Sequence, residues 1–239
     1  MEKRQGNIKD GGAHSESCCD HKMDQESIDE IGDLHVATSW DTPMRKDAFE
    51  MSDEDKIEKI EGHFREIMHT MGLDLSDDSL SGTPHRVAKM YIKEIYRGLN
   101  PANKPNMRLF ENPYDYDDML IEKDITFYST CEHHFVSIYG KAHVAYIPKG
   151  KVVGLSKINR MVQYCSSRPQ VQERLTIQIA KELSLALDTP DVAVVIDADH
   201  LCVASRGVSD TNSRTITSKF LGAFREERTK AQFMQFIQS

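Results

Sequence analysis

The 239-residue sequence predicts an α+β fold behind a small helical subdomain, and three observations carry that prediction. Apolar side chains recur at helical spacing between Ile57 and Ile95. From about Met119 the pattern changes to alternating β-branched and aromatic residues. After that point the elements run as a strand pair, two helices and a second strand pair. Strands joined to their sequence neighbours favour an antiparallel sheet, with the intervening helices on one of its faces.

Residues 1–50 stand apart from this pattern. Residues 1–55 hold 6 Lys/Arg against 15 Asp/Glu, and the remainder 24 against 23, so the formal charge of −8 belongs to the N-terminal stretch. With few large apolar residues and no sustained period, residues 1–50 cannot offset the entropy of ordering, and a flexible acidic tail is expected. The stretch has neither the apolar core of a secretory signal nor the Arg-rich, acid-poor character of a transit peptide. No segment approaches 18 uninterrupted apolar residues. A cytoplasmic protein without membrane contact is expected. Its five cysteines, at 18, 19, 131, 165 and 202, are odd in number and not densely spaced, which favours metal ligation or catalysis over a disulfide framework.

The helical subdomain spans residues 51–118. Ser52 followed by Asp53, Glu54 and Asp55 reads as an N-cap with acids in the first turn, and Ile57, Ile60, Phe64, Ile67, Met68 and Met71 form one stripe up to Gly72. Thr83-Pro84 reads as a cap with Pro at the first helical position, opening a helix through Val87, Tyr91 and Ile95 to Gly98. A connector rich in Pro and Asn follows at 100–106. The second part, residues 119–239, begins with a strand at ITFYS and a strand or bent hairpin over 136–146. Ser156 is expected to cap a short helix, and Arg168-Pro169 to break it and start another carrying Val171, Leu175, Ile179, Leu183 and Ala186 on one stripe. VAVVIDADHLCVAS reads as one long strand, SRTITSKFLGAF as another, and residues 229–237 as a helix.

The stretch Cys131-Glu132-His133-His134 sets four candidate ligands or proton carriers side by side. In a straight strand residues i and i+3 face opposite ways, so Cys131 and His134 share an ion only across a turn or bulge. Spacing alone permits either histidine. On the long strand, His200 and Cys202 fall on one face. Cys202 joined to Cys131 and His134 gives a Cys₂His set with a fourth position open, the arrangement of catalytic rather than structural zinc. The alternative for Cys202 is a buried core thiol. Cys165 lies on the apolar side of its helix with Ile158, Met161 and Val162 and reads as core. His14, Cys18, Cys19 and His21 form a further candidate set in the tail. There is no H-E-x-x-H, and His14-Ser15-Glu16 is not followed by P-C-x-x-C, so zincin and nucleobase-deaminase patterns are absent.

KGKVVGLSK at 149–157 resembles a phosphate loop but fails its spacing, because Leu155 follows Gly154 where Lys is required. It leaves Ser156 and Lys157 at a helix start with Arg160 one turn on, an arrangement suited to an anion or simply to a solvated helix end. Gln172 and Glu173 fall in the first turn of the next helix, where the helix dipole favours a carboxylate regardless of function. A carboxylate there also matches the paired donors of guanine, N1–H and the exocyclic amine. Arg206 follows as a phosphate clamp or a surface cation.

Five stretches, CEHHF at 131–135, GLSKINR at 154–160, RPQVQERLT at 168–176, H-x-C at 200–202 with Arg206-Gly207, and TPHRVAKMY at 83–91, together resemble the GTP cyclohydrolase I family. The resemblance runs from about residue 50 to the C-terminus with the motifs in order. It implies a tunnelling fold, an antiparallel sheet with two helices on one face. It also implies a toroidal homodecamer with active sites at subunit boundaries, and conversion of GTP and water to 7,8-dihydroneopterin triphosphate and formate, the first step of pterin and folate biosynthesis. By that resemblance zinc falls to Cys131, His134 and Cys202, proton transfer to His133 and His200, and guanine recognition to Glu173 with Gln172. Ser156 lies near the ribose, and Lys157, Arg160, Arg206, Arg86 and Lys89 contact the triphosphate. The implied partners are GTP and further copies of the chain, with no nucleic acid. The alternatives are another tunnelling-fold purine or pterin enzyme, or a non-catalytic zinc-stabilised module, which requires a fourth protein ligand.

Overall fold

The computed structural model describes residues 41–238; the candidate set His14, Cys18, Cys19 and His21, and the tail up to residue 40, lie outside them. The described residues form one compact unit that holds the helical segment and the sheet together.

Helix α1 (Asp53–Thr70) starts where Ser52 predicts, the Ser52 hydroxyl accepting from the Asp55 amide. A one-turn helix α2 (Asp78–Ser81) leads into α3 (Thr83–Met90), whose cap is Gly82 rather than Thr83. Thr83 lies inside the helix, and its hydroxyl accepts from Arg86 Nη2. The helix predicted to reach Gly98 does not stay α-helical. Residues Tyr91–Ile95 widen into a π turn, with the Tyr96 amide bonded to Tyr91 O, and Arg97–Leu99 tighten into a 3₁₀ turn. Gly98 at the end of this segment meets another backbone closely: a Cβ there would lie 2.2 Å from Tyr164 O and 2.8 Å from Ser167 O.

The sheet has the order β5-β2-β3-β6-β7, from β2 (Leu120–Cys131), β3 (Ser137–Tyr146), β5 (Pro169–Gln170), β6 (Val192–His200) and β7 (Thr215–Phe220). All pairings are antiparallel except the short β2–β5 contact. A small ribbon, β1 (Leu109–Glu111) with β4 (Lys151–Val153), is an addition that the sequence reading does not contain. Helices α4 (Leu155–Ser166) and α5 (Gln172–Leu187) cover one face. Ile138, Ala142, Val144 and Tyr146 of β3 and Val192, Val194, Ile196 and Ala198 of β6 share a core there with Ile158, Met161, Val162, Leu175, Ile179 and Leu183. Cys165 belongs to this core, as its spacing predicts, and burial pushes its thiol up to about 12. The intervening residues Ala145, Ala193 and Val195 face the other way, where Phe224 and Phe233 of the C-terminal segment cover one end of the sheet.

Four boundaries differ from expectation. Helix α4 is capped by Gly154, so Ser156 sits in its first turn and makes no capping bond. Pro169 does not start α5: Pro169 and Gln170 are captured by the end of β2, where Thr130 and Cys131 are their partners, and the helix begins at Gln172. The predicted long strand stops at His200, and Leu201–Ala204 turn into the short helix α6. The stop coincides with the end of the β3–β6 pairing at Ile138 and His200, one residue from the end of β3. Last, residues 41 and 42, expected in the tail, are tied to the domain: Asp41 accepts from Arg168 and Gln178, and Thr42 Oγ1 donates to Pro169 O.

Candidate metal centre

The turn between β2 and β3 supplies the bend that a C-x-x-H pair needs. The Phe135 amide donates to Cys131 O at 2.9 Å, closing one helix-like turn, and the Cys131 amide donates to Val136 O at 2.8 Å as the strands rejoin. Residues i and i+3 of such a turn are neighbours, which replaces the opposed directions of a straight strand. The turn ends with Phe135 at φ 55°, a left-handed conformation that costs a non-glycine residue about 1–2 kcal/mol. Its ring stands edge-on to Tyr96 at 5.8 Å, so the helical segment packs against the residue that closes the turn.

Cys202 arrives from the other side. It is not on a strand face with His200 but one step into α6, and the helical turn brings its sulfur to the site. The ligand atoms of Cys131, His134 and Cys202 lie within 4.8 Å of one another, with Cys131 buried, Cys202 half-buried and His134 exposed. Cys131 Sγ is 3.7 Å from His134 Nδ1 and 3.8 Å from His133 Nδ1, yet His133 is not a member of the three-residue group. Burial, and then the neighbouring Cys131 sulfur, push the Cys202 thiol up, while the nearby Arg206 charge opposes the rise. A raised Cys202 thiol means that its thiolate lacks a balancing charge here, and a bound dication would supply one. Two soft sulfurs and an imidazole, three donors with an exposed side, fit zinc with one position left open.

His200 ends β6, 2.6 Å from Gln172 across the sheet–helix boundary. Gln172 Nε2 donates to Thr215 O and to Thr217 Oγ1, and since a carbonyl only accepts, the amide orientation is fixed. Gln172 Oε1 therefore faces His200, whose Nε2–H donates to it, and Nδ1 is the nitrogen with a lone pair. Burial lowers the His200 pKa, with Glu173 and Asp199 acting against the shift, which favours the neutral ring. The side chain of Gln172, expected at the guanine, is instead buried and turned inward. Glu173, beside it, is exposed and near His200.

The expected phosphate contacts separate into groups. Arg206 lies beside Cys202. Arg160 lines a cavity of 670 Å³ with Lys93, Arg97, Gln163 and Tyr164, none of them a candidate metal ligand, while Ser156 is exposed and Lys157 half-buried at the start of α4. Arg86 is turned onto Ser79 O and Thr83, and Lys89 lines a groove with Glu61 and His85. Glu132, one of four candidate ligands or proton carriers by sequence and otherwise expected as a structural or interface contact, has a structural role. The structure pairs it with buried Arg174, a partner 42 residues away that no local motif announces.

An α+β domain with a compact Cys₂His cluster and an open side defines a class of metal-dependent enzymes. The sequence model of GTP cyclohydrolase I matches residues 60–238. A protein of Flavobacterium johnsoniae named GTP cyclohydrolase 1 is 56% identical over 213 residues, 89% of this chain and 96% of that protein. Proteins with the same name from Aeromonas hydrophila and Citrobacter koseri are 53% and 52% identical, over 83% and 84% of this chain and 90% and 91% of theirs. The chain belongs to the GTP cyclohydrolase I family. Among solved structures, the apo archaeosine synthase QueF-Like matches with a TM-score of 0.37 and 18% identity, covering 44% of this chain and 94% of that one, too slight a likeness to bear on the fold.

Proposed function

We propose that this chain is a zinc-dependent GTP cyclohydrolase I that converts GTP and water to 7,8-dihydroneopterin triphosphate and formate, the entry to pterin and folate synthesis. The observation that carries the zinc reading is the Cys131–His134–Cys202 cluster, three protein ligands that would leave a fourth zinc position for water or substrate. Zinc bound there supplies Lewis acidity and water acidic enough to give hydroxide near neutral pH.

The other residues orient substrate and move protons. Glu173, exposed at the start of α5, accepts from N1–H and the exocyclic amine of guanine. His200, its Nε2–H held by Gln172, takes up and delivers protons at Nδ1 as the imidazole ring of GTP opens. His133, beside Cys131 on the same turn, serves the same proton traffic. Arg206 holds the phosphate end nearest the metal, and Ser156, Lys157, Arg160, Arg86 and Lys89 complete the ribose and triphosphate contacts.

Because Arg160, Arg86 and Lys89 lie with residues other than the cluster within one chain, while Arg206 is beside it, the site is read as composite, completed by neighbouring subunits. Open edges at β7 and along most of β2 suit the sheet continuation of a tunnelling-fold homodecamer. In this reading residues 51–118 are the helical subdomain and 119–239 the catalytic part. A cytoplasmic location agrees with the absence, among the described residues, of a helix long and apolar enough to cross a membrane.

The direct test incubates the purified protein with GTP and follows formate release and pterin absorbance, with and without a chelator. Both products are expected, and both are lost with chelation. A protein with bound zinc that yields neither product would end this reading.

A further inference from the structure

The residue between the candidate ligands is held more firmly than a turn residue requires. Glu132 takes a two-pronged ion pair from Arg174, Nη1 to Oε2 at 2.7 Å and Nη2 to Oε1 at 2.8 Å. The side chains are 16% and 6% exposed, so the pair is shielded from solvent and salt. The Glu132 amide also donates to Gln170 O at 3.2 Å. Gln170 is fully buried: its Oε1 accepts from Arg174 Nη1, and its amide nitrogen donates to Gln178 Oε1 and to Cys165 O. Gln178 in turn donates to Asp41. A polar chain, exposed at Asp41 and buried from Gln178 onward, thus runs to the turn that carries Cys131 and His134.

Such a chain is costly unless it fixes something. A buried ion pair is seldom more stable than apolar residues of the same volume, so its presence argues for geometry rather than for stability. The geometry in question is narrow. Cys131 and His134 meet only because residues 131–135 form one closed turn, and Glu132 is the turn residue anchored to the helix behind it.

We propose that Glu132 and Arg174 are positioning residues of the metal centre, clamping the turn so that Cys131 and His134 face Cys202 before metal arrives. The inference rests on the reading of those three residues as a zinc site. Neither Glu132 nor Arg174 touches metal or substrate; they act through the ligands on either side of Glu132. Residues that orient metal ligands in this way alter metal affinity by about 10- to 100-fold when removed.

The test measures metal affinity and site geometry in the full-length protein, by chelator competition for zinc and by the visible spectrum of the cobalt(II) form. Glu132→Gln, which removes the charge and keeps the shape, is expected to weaken zinc binding 10- to 100-fold and change the cobalt spectrum. Arg174→Lys keeps the charge without the two-pronged contact and is expected to fall between wild type and Glu132→Gln. Because a half-broken buried pair also threatens folding, the deciding variant is the double replacement Glu132→Leu with Arg174→Met, which leaves no unpaired charge. A control, Phe233→Leu on the opposite face of the sheet, lowers thermal stability and is expected to leave zinc affinity and the cobalt spectrum unchanged. A folded double variant with wild-type zinc affinity and spectrum overturns the proposal. Wild-type protein that binds no zinc overturns instead the metal-site reading beneath it, so the two failures are distinct.

Discussion

The metal half of the site and the phosphate half are built in opposite ways. The candidate ligands come from two short segments, one turn and the first residues of one helix, and meet inside a single chain. The cations proposed for the triphosphate sit on α3, on α4 and after α6 and are mostly exposed, with Arg160 and Lys89 lining separate grooves. One half needs exact distances and obtains them from a hydrogen-bonded turn and a buried ion pair. The other needs charge more than angle, and long flexible side chains from several chains can provide it. A single subunit is therefore expected to bind zinc by itself and to lack a full GTP site.

The largest effect expected is on the metal half. Cys202→Ala should lose bound zinc and reduce turnover to the level of chelator-treated protein, as read by metal analysis beside formate release. His200→Ala should keep zinc and lower kcat by about 10²- to 10⁴-fold, the range typical of a removed proton carrier. Zinc loss in the His200 variant would show that the histidine supports ligation rather than proton transfer.

The next effect tests the separation itself. Arg86→Ala and Cys202→Ala, each nearly inactive alone, are expected to regain a fraction of wild-type activity when unfolded together and reassembled. Mixed oligomers then contain sites with an intact metal from one chain and an intact cation from another. No recovery in confirmed mixed oligomers would place both halves of each site in the same chain.

How much of this was legible in the sequence follows the range of the interactions. The Ser52 cap, the helix α1, the strands β2 and β3 and the core position of Cys165 depend on neighbours along the chain and are readable, although Ile67 and Met71 of the expected α1 stripe are exposed. The C-x-x-H turn was foreseen as a necessity because strand geometry forbids the alternative. The end of β6 was not, since VVIDADHLCVAS is continuously apolar and the strand stops where its pairing with β3 ends, at Ile138. The β1–β4 ribbon offers three residues on each side, too few for alternation to register. Gln172 reads as a substrate contact by position, but its amide is fixed by Thr215, 43 residues away. Arg174 and Glu132 were invisible as a pair for the same reason.

The smallest predicted effect distinguishes the two halves by salt alone. Exposed cations are screened once the ionic strength brings the Debye length to about 3 Å, near 1 M, while a pair buried between Glu132 and Arg174 is screened much less. Raising potassium chloride from low to high concentration should therefore raise the KM for GTP several-fold, with little change in kcat once GTP saturates. The zinc content of the same samples should stay constant, because ligands and clamp are both shielded. Equal sensitivity of zinc retention and KM would mean that the turn is held by surface charge after all, and that the contrast between the halves is one of position rather than of physical kind.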